Sequence, residues 1–199
     1  MTDFYDFLIS GSLKEKASEL NWNPEKVSVK VLEADDRGEL KKKIQRSRED
    51  YDILGFRGGD HELNRKAFSD ERMDVVLHPG KGRKDSGMNH VDARKASQNH
   101  VAVGFSLKQL PEDPKRQSQE LTKWRRNLKL SERYGAPYLL TTEADMFSDL
   151  RKPRDLAAVI NSLGYNGVKA VSKVPKKILE ENRKAQSSSR IRPGHEVVE

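Results

Sequence analysis

Short apolar runs alternate with longer amphipathic segments along residues 4–142, and this alternation restricts the folds that the sequence can adopt. Six runs of four to seven residues are typical of strands. These runs are Phe4–Ile9, Val27–Leu32, Ile53–Arg57, Asp74–Leu77, Val101–Leu107 and Tyr138–Thr142. Strands that alternate with helices predict an α/β protein with a mostly parallel sheet.

Helix signals fill the intervals between the runs. Ser12 with Glu15 three residues later has the pattern of a capping box, and Asp60 is placed to cap the helix that follows it. Helices are predicted from Ser12, over 36–48, over 61–68, up to Asn99, from Lys115 to Gly135, over Arg154–Leu163 and from Lys173. The sequence therefore predicts a regular succession of strands and helices.

The length of 199 residues fits one domain, which we predict over residues 1–185. Residues 186–199 are rich in serine and charge and are predicted to form a disordered tail. A doubly wound sheet and a TIM-like barrel both agree with the alternation. Because a full eight-stranded barrel usually needs about 250 residues, a barrel of this length is compact or irregular.

Positive charge is concentrated in the second part of the chain. The chain carries 38 Lys and Arg against 31 Asp and Glu, a formal net charge of +7. Residues 1–60 have a net charge of −2, residues 61–199 of +9, and the window 78–133 alone of +7. A basic face attracts polyanions, so this distribution favours a nucleic acid as the partner.

Cysteine is absent from the sequence, which excludes disulfides, thiolate metal sites and cysteine nucleophiles. No apolar stretch approaches the roughly 18–20 residues that a membrane span needs. The first residues, MTDFYDF, lack the basic region of a secretory signal. These observations predict a cytoplasmic protein that does not associate with a membrane.

Polar residues lie at the carboxyl ends of the predicted strands, where α/β proteins bind ligands. They are Asp6, Arg57, His78, Ser106 and Thr141-Thr142. Arg57 with Gly58-Gly59 is suited to present a guanidinium and backbone amides to a phosphate, and a tight turn is the structural alternative. The sequence contains no GxGxxG, Walker A, HxH or HExxH pattern, so neither a nucleotide pocket nor a catalytic metal is predicted.

The loop GKGRKDSG over residues 80–87 is one of two basic segments that suit RNA. It offers Lys81, Arg83 and Lys84 on a backbone whose glycines permit close approach. Contacts of such a loop with a phosphate backbone are sequence-independent and salt-dependent. An ordinary surface loop is the alternative interpretation.

The cluster KWRR at residues 123–126 is the second basic segment. Trp124 shares a helix face with Leu121 and Leu128, which predicts a core position for the tryptophan. Arg125 and Arg126 then face solvent, and a planar guanidinium is suited to bidentate contact with phosphate.

The central block of the sequence resembles a known family. Residues 54–110 contain RGGD after a strand, Asn64 in the next helix, DVVLHP, DSGMNHV and VAVGFSL. Further along, WRRN and RKPRDLAAVINSLG continue the pattern. These features are similar to the archaeal ribonuclease P protein component 3 family, the counterpart of the eukaryotic thirty-kilodalton RNase P/MRP subunit. The resemblance spans most of residues 1–180.

The resemblance implies a TIM-barrel-like fold related to the polymerase-and-histidinol-phosphatase hydrolases. It also implies a non-catalytic subunit of the ribonucleoprotein that removes 5′ leaders from precursor tRNA, with Mg²⁺ bound by the RNA rather than the protein. The expected partners are the RNase P RNA, precursor tRNA and another small RNase P protein. The sequence lacks an HxH on its first run and has Asp6 nearby, which argues against independent hydrolysis.

Charge and resemblance together define a predicted RNA-binding set and no catalytic or metal-binding residue. The set is Arg57, Lys81, Arg83, Lys84, Arg94, Lys108, Arg125 and Arg126. Two alternatives stay open from the sequence. One is a stand-alone metal-dependent phosphoesterase of the same barrel superfamily, and the other is a protein-interaction module whose basic face binds an acidic partner.

Overall fold

A sheet of five parallel strands forms the centre of the computed structural model, which describes residues 3–187. The strands are β1 (Val29–Leu32), β2 (Ile53–Arg57), β3 (Val75–Leu77), β4 (Ala102–Ser106) and β5 (Tyr138–Thr141). Each strand pairs with the next one along the chain, in the order β1-β2-β3-β4-β5. A doubly wound sheet reverses its strand order at one point, so this order excludes that fold and is that of a TIM-like barrel.

Seven α-helices accompany the strands in the described residues. They are α1 (Lys14–Glu19), α2 (Arg37–Ser47), α3 (His61–Phe68), α4 (His90–Gln98), α5 (Pro114–Tyr134), α6 (Pro153–Ser162) and α7 (Val174–Gln186). Asp60 caps α3 as predicted, since its carboxylate accepts hydrogen bonds from the amides of Glu62 and Leu63. Gly135 ends α5 with φ +74°. Of the predicted tail, Gln186 belongs to α7, and residues 188–199 lie outside the described residues.

Both faces of the sheet are buried, which explains the nearly continuous apolar strands. On β2, Leu54 and Phe56 pack with the surrounding helices, whereas Ile53 belongs to a second core on the opposite face. That second core includes Val174 and Ile178 of α7. The helix α7 therefore fills the concave side of the sheet, so five strands and one helix form a compact barrel-like domain.

The first predicted strand, Phe4–Ile9, is not a strand in the structure. Its backbone makes isolated contacts instead, such as the Tyr5 amide with the carbonyl of Val171 at 2.9 Å. The Asp6 carboxylate accepts the amide of Thr142 at 2.7 Å. A side chain thus holds this segment beside β5, so the apolar pattern FYDFLI reflects burial rather than sheet pairing.

The predicted capping box at Ser12 is also wrong. A 3-10 turn over Gly11–Leu13 precedes α1, and no side chain caps that helix. The Ser12 hydroxyl lies 3.1 Å from the hydroxyl of Ser10 instead. A capping box requires an extended backbone at its first residue, and the preceding helical turn removes that geometry.

Candidate nucleic-acid interface

The carboxyl ends of β2 to β5 bring polar side chains together around Glu143, a residue that the sequence analysis missed. Arg57 donates from Nη2 to Glu143 Oε1 at 2.8 Å. His78 Nε2 lies 3.4 Å from Glu143 Oε2, and the hydroxyl of Ser106, which is close to this carboxylate, is buried without a hydrogen-bond partner among the described residues. Three of the predicted edge residues therefore converge on one buried carboxylate.

Glu143 is held in its charged form by these neighbours. Burial by itself raises the pKa of this carboxyl, but the interactions with His78, Arg57 and Ser106 outweigh burial and lower the pKa to about 2. The Arg57 guanidinium, with a side chain 20% exposed, also lies 3.4 Å from Glu33 through its Nε atom. Its charge is thus shared between two carboxylates of the same chain.

The backbone around Glu143 is strained. Glu143 and His78 both have φ +50°, in the left-handed region that few residues other than glycine adopt. Glu143 and His78 follow β5 and β3, the two strands on either side of β4. The left-handed turns aim both side chains at the buried cluster, so the cluster is rigidly placed.

Most of the donors that Arg57 with Gly58-Gly59 was predicted to present to a phosphate make contacts within the fold. The Gly58 amide donates to the carbonyl of Leu77 at 2.7 Å, and the Gly59 amide donates to Asn64 Oδ1 at 3.2 Å. Both backbone donors and the Nη2 and Nε atoms of the guanidinium are therefore already used within the fold, whereas Arg57 Nη1 is buried without a hydrogen-bond partner in the described chain. The alternative interpretation, a tight turn between strand and helix, agrees with these contacts.

Asp6 lies at the same edge and connects the amino-terminal segment to the end of β5. Its carboxylate accepts hydrogen bonds from the hydroxyls of Thr141 and Thr142, and from the amides of Thr142 and Leu8. Burial raises the pKa of this carboxyl, and the four hydrogen bonds act in the opposite direction. With its acceptor capacity used in this way, Asp6 has a structural role.

The loop 80–87 is held firmly at both ends. Asn64 donates from Nδ2 to the carbonyls of Pro79 at 2.8 Å and Gly87 at 3.0 Å. Asn127 of α5 donates to the carbonyl of Ser86 at 2.8 Å. Gly87 has φ +70°, and a Cβ atom there would lie 1.7 Å from the carbonyl oxygen of Pro79. The loop therefore presents its basic residues from a fixed backbone.

The three basic side chains of this loop differ in their pairing. Arg83 donates to both carboxylate oxygens of Asp85 at 2.7 Å, and these hydrogen bonds hold the pKa of Asp85 well below its usual range. Lys81 and Lys84 are exposed, and neither has a carboxylate partner within residues 3–187. Only the two lysines thus offer an uncompensated charge.

The helix α5 places KWRR as the sequence predicts. Trp124 is buried, with its ring 5.0 Å from that of Phe105, so it packs in the core. Arg125 and Arg126 are exposed, and within the described part of the chain no carboxylate pairs with either guanidinium. This combination makes α5 an anchored element with an open cationic surface.

The other two predicted RNA-binding residues lie apart from each other. Arg94 of α4 is exposed, with its guanidinium 5.3 Å from the centre of the Tyr134 ring at the end of α5. Lys108 follows β4 and pairs with Asp145. Arg94 therefore extends the surface formed by α5, whereas Lys108 joins the ion pairs at the carboxyl edge.

Further basic residues of α5 belong to the same surface and were not in the predicted set. Along Pro114–Tyr134 there are seven basic and two acidic residues. The exposed members without a carboxylate partner among the described residues include Lys115, Arg116, Lys129 and Arg133. The helical repeat places Lys115, Arg126 and Arg133 within about 20° of one line on the outer face. We define the α4–α5 surface as the exposed cations of α4 and α5 together with Lys81 and Lys84 of the loop 80–87.

Two other kinds of site are absent from residues 3–187. No three His, Asp or Glu side chains there form a group that could hold a metal ion. None of the described helices is long and apolar enough to cross a membrane.

Comparison with protein families and solved structures supports the sequence resemblance. The family model for RNase P subunit p30 matches residues 27–187. A chain in the cryo-EM structure of archaeal ribonuclease P with mature tRNA is similar to this chain, with a TM-score of 0.79 and 26% identity. That similarity covers 98% of this chain and 87% of the other.

Several proteins named ribonuclease P protein component 3 are similar in sequence. The protein of Methanothermobacter thermautotrophicus is 31% identical over 179 residues, which are 85% of this chain and 73% of the relative. The protein of Methanococcoides burtonii is 35% identical over 144 residues, which are 70% and 59% of the two chains. The matched region thus spans between about three fifths and three quarters of these relatives.

Proposed function

The chain belongs to the RNase P subunit p30 family and is a subunit of ribonuclease P, and from this premise we propose that it supports the catalytic RNA through the α4–α5 surface. One observation carries the proposal: α5 and the loop 80–87 present exposed cations that have no carboxylate partner in the described chain. RNA that folds around Mg²⁺ must bring phosphates together against their mutual repulsion. A fixed row of cations lowers that repulsion.

The proposal revises the predicted RNA-binding set by charge pairing. Lys81, Lys84, Arg125 and Arg126 remain as the central contacts, and Arg94 lies at the margin. Arg57, Arg83 and Lys108 are paired with carboxylates, so we assign them to the stability of the edge. The residues of α5 that lie on the same face extend the set, namely Lys115, Lys129 and Arg133.

The remaining expectations belong to the same proposal. Precursor tRNA and another small RNase P protein are the proposed further partners. The Mg²⁺ ions are proposed to be bound by the RNA component rather than by this chain. A cytoplasmic location is proposed as well, since a chain without cysteine suits a reducing compartment.

Salt-dependent binding tests the proposed surface. We expect the double variant Arg125→Gln/Arg126→Gln to bind RNase P RNA more weakly and to flatten the slope of log K against log salt by about one to two units. Filter binding of the purified RNA at several KCl concentrations measures this slope. An unchanged slope would remove the two arginines from the interface.

Lys41→Gln/Lys42→Gln on α2 is the matched control, because it removes the same charge from another exposed helix. Several acidic residues surround these lysines in sequence, and residues 1–60 have a net charge of −2. We expect the control to keep the wild-type slope. An equal effect of both double variants would mean that net charge, rather than the α4–α5 surface, determines binding.

Purification of the tagged chain from its host separates this function from the two alternatives. We expect one dominant structured RNA and cleavage of precursor tRNA in the same fraction. A fraction without RNA that cleaves phosphoesters would support the phosphoesterase. Salt-dependent binding to an acidic protein in the absence of RNA would support the interaction module.

A further inference from the structure

The loop between β5 and α6 exposes two large apolar side chains that the proposed RNA-binding role does not use. Met146 is 63% exposed and Phe147 is 58% exposed. Val91 and Val168 are the only other large apolar side chains that are exposed among the described residues. An exposed apolar pair at a loop tip costs solvation free energy in the free chain, and such patches mark interaction sites.

The carboxyl end of the same loop, at Lys152, lines a groove of about 980 Å³. The segment after α1 forms one wall with Leu20 and Trp22, and the start of α6 forms the other with Pro153. Val168, which is 39% exposed, also lines it. Trp22 donates from its ring to the carbonyl of Arg151 at 2.8 Å, so the loop that carries Phe147 is fixed to the groove wall.

Basic side chains outside ion pairs lie around the pair and the groove. Lys152 and Arg154 line the groove, are exposed and have no carboxylate partner within residues 3–187. Lys16 lies with its ammonium 5.1 Å from the centre of the Phe147 ring. The nearby carboxylates of Asp3 and Asp145 are occupied by Lys176 and Lys108. The surface thus combines apolar contacts with cations that lack a counter-charge.

We propose that this surface, the α1–α6 flank formed by Met146, Phe147 and the groove, docks a partner protein that presents an apolar cluster flanked by carboxylates. Exposed Met and Phe beside Arg are typical of the centre of protein interfaces, from which carboxylates are depleted. A groove next to a protruding aromatic ring accepts a segment and anchors it. The inference rests on the proposed function, since it gives the second protein of the ribonucleoprotein a place on this chain.

An RNA strand is the other class of ligand that cations and an aromatic ring can bind. It is the weaker fit here because Met146 and Phe147, the most exposed large apolar side chains among the described residues, belong to the loop whose end lines the groove. The α4–α5 surface, by contrast, offers several cations on an open helix face, and Val91 of α4 is the one large exposed apolar side chain there among the described residues. The two flanks therefore differ in chemistry, and we assign RNA to one and protein to the other.

Photocrosslinking in the assembled particle tests the proposal. The change Phe147→benzoylphenylalanine is introduced into the tagged chain, the particle is purified from the host and irradiated, and the crosslinked peptide is identified by mass spectrometry. We expect one protein other than this chain, crosslinked through a peptide with apolar residues next to Asp or Glu. A crosslink to RNA, a crosslink to a second copy of the chain, or no crosslink would each overturn the proposal.

The same probe at Gln45, which is exposed on α2, is the control and should give no crosslink to that protein. The second measurement uses two double variants, Met146→Ser/Phe147→Ser and Lys152→Glu/Arg154→Glu. After ribonuclease treatment, each variant should retain at least tenfold less of the partner protein than the wild-type tagged chain. Circular dichroism checks that these surface variants fold. Unchanged recovery of the partner from both folded variants would contradict the proposal.

The outcomes separate this inference from the proposed function. If RNase P RNA co-purifies with the wild-type chain but position 147 gives no protein crosslink, the docking surface is wrong and the subunit role stands. If no RNase P RNA co-purifies with the wild-type chain, the proposed function itself fails.

Discussion

The carboxyl edge of the sheet and the α4–α5 surface contain similar basic residues in different electrostatic settings. At the edge, Arg57 pairs with Glu143 and Lys108 pairs with Asp145. On α5, Arg125 and Arg126 have no carboxylate partner in the part of the chain that is described. A paired cation stabilises the fold, whereas an unpaired one remains available to phosphates. Pairing, more than the number of basic residues, therefore distinguishes the two regions.

The first prediction removes the centre of the paired region. We expect Glu143→Gln to lower the free energy of unfolding by about 3–5 kcal/mol, because it removes the buried partner of Arg57 and leaves only the exposed Glu33 beside that guanidinium. Urea denaturation at pH 7 measures the loss. Glu33→Gln is the matched control: Glu33 also contacts Arg57, but its side chain is 74% exposed, so the loss should stay below about 1 kcal/mol.

Equal losses for the two variants would contradict the distinction between the buried and the exposed partner. At temperatures where Glu143→Gln is folded, its RNA affinity should equal that of the wild type. A large loss of RNA affinity by the folded variant would instead place the carboxyl edge in the interface and break the comparison between the regions.

The second prediction concerns pH and the same carboxylate. The pKa of Glu143 is about 2 in the folded chain against an ordinary value of 4.5. A carboxyl whose pKa is lowered by folding stabilises the fold above its ordinary pKa, and that stabilisation is lost as pH falls towards the folded value. The full contribution is about 3 kcal/mol at neutral pH, of which about 2 kcal/mol is lost by pH 3.

Other carboxylates titrate in the same range, so the difference between wild type and Glu143→Gln isolates this one. We expect the gap between their free energies of unfolding to narrow between pH 5 and pH 3. Urea denaturation at pH steps across this range measures the gap. A constant gap would show that the carboxylate of Glu143 is not held charged by its neighbours.

The fold was largely predictable because its signals are local. The strand Ile53–Arg57 and the Asp60 cap follow from neighbouring residues, and both are confirmed. The segment Phe4–Ile9 was not predictable in this way, since Asp6 binds threonines 135 and 136 residues away. An apolar pattern reports burial but does not report which hydrogen bonds the backbone makes.

The site was less predictable than the fold for the same reason. Glu143 lies 86 residues from Arg57 in the sequence, and only the order of the parallel strands brings them together. The sequence shows that Arg57 and Arg126 are basic. It does not show that Arg57 pairs with a carboxylate and that Arg126 has no such partner within residues 3–187. Only Arg83 and Asp85 gave a local signal, because an acid two residues from an arginine can pair with it.

The last prediction compares paired and unpaired cations within the loop 80–87. We expect Lys81→Gln/Lys84→Gln to flatten the salt slope of RNA binding by about 1.4–1.8 units, because each lysine that neutralises a phosphate contributes about 0.7–0.9. The control is the double variant Arg83→Gln/Asp85→Asn, which removes a whole ion pair and keeps the net charge. The side-chain oxygen that remains at position 85 can still accept a hydrogen bond from the Gly87 amide, as Asp85 does. The control should change the slope by less than about 0.3 units. The salt slopes of both double variants are measured by filter binding over the same KCl series. A larger change in slope from removing the ion pair than from removing the lysines would show that Arg83 leaves Asp85 to bind RNA.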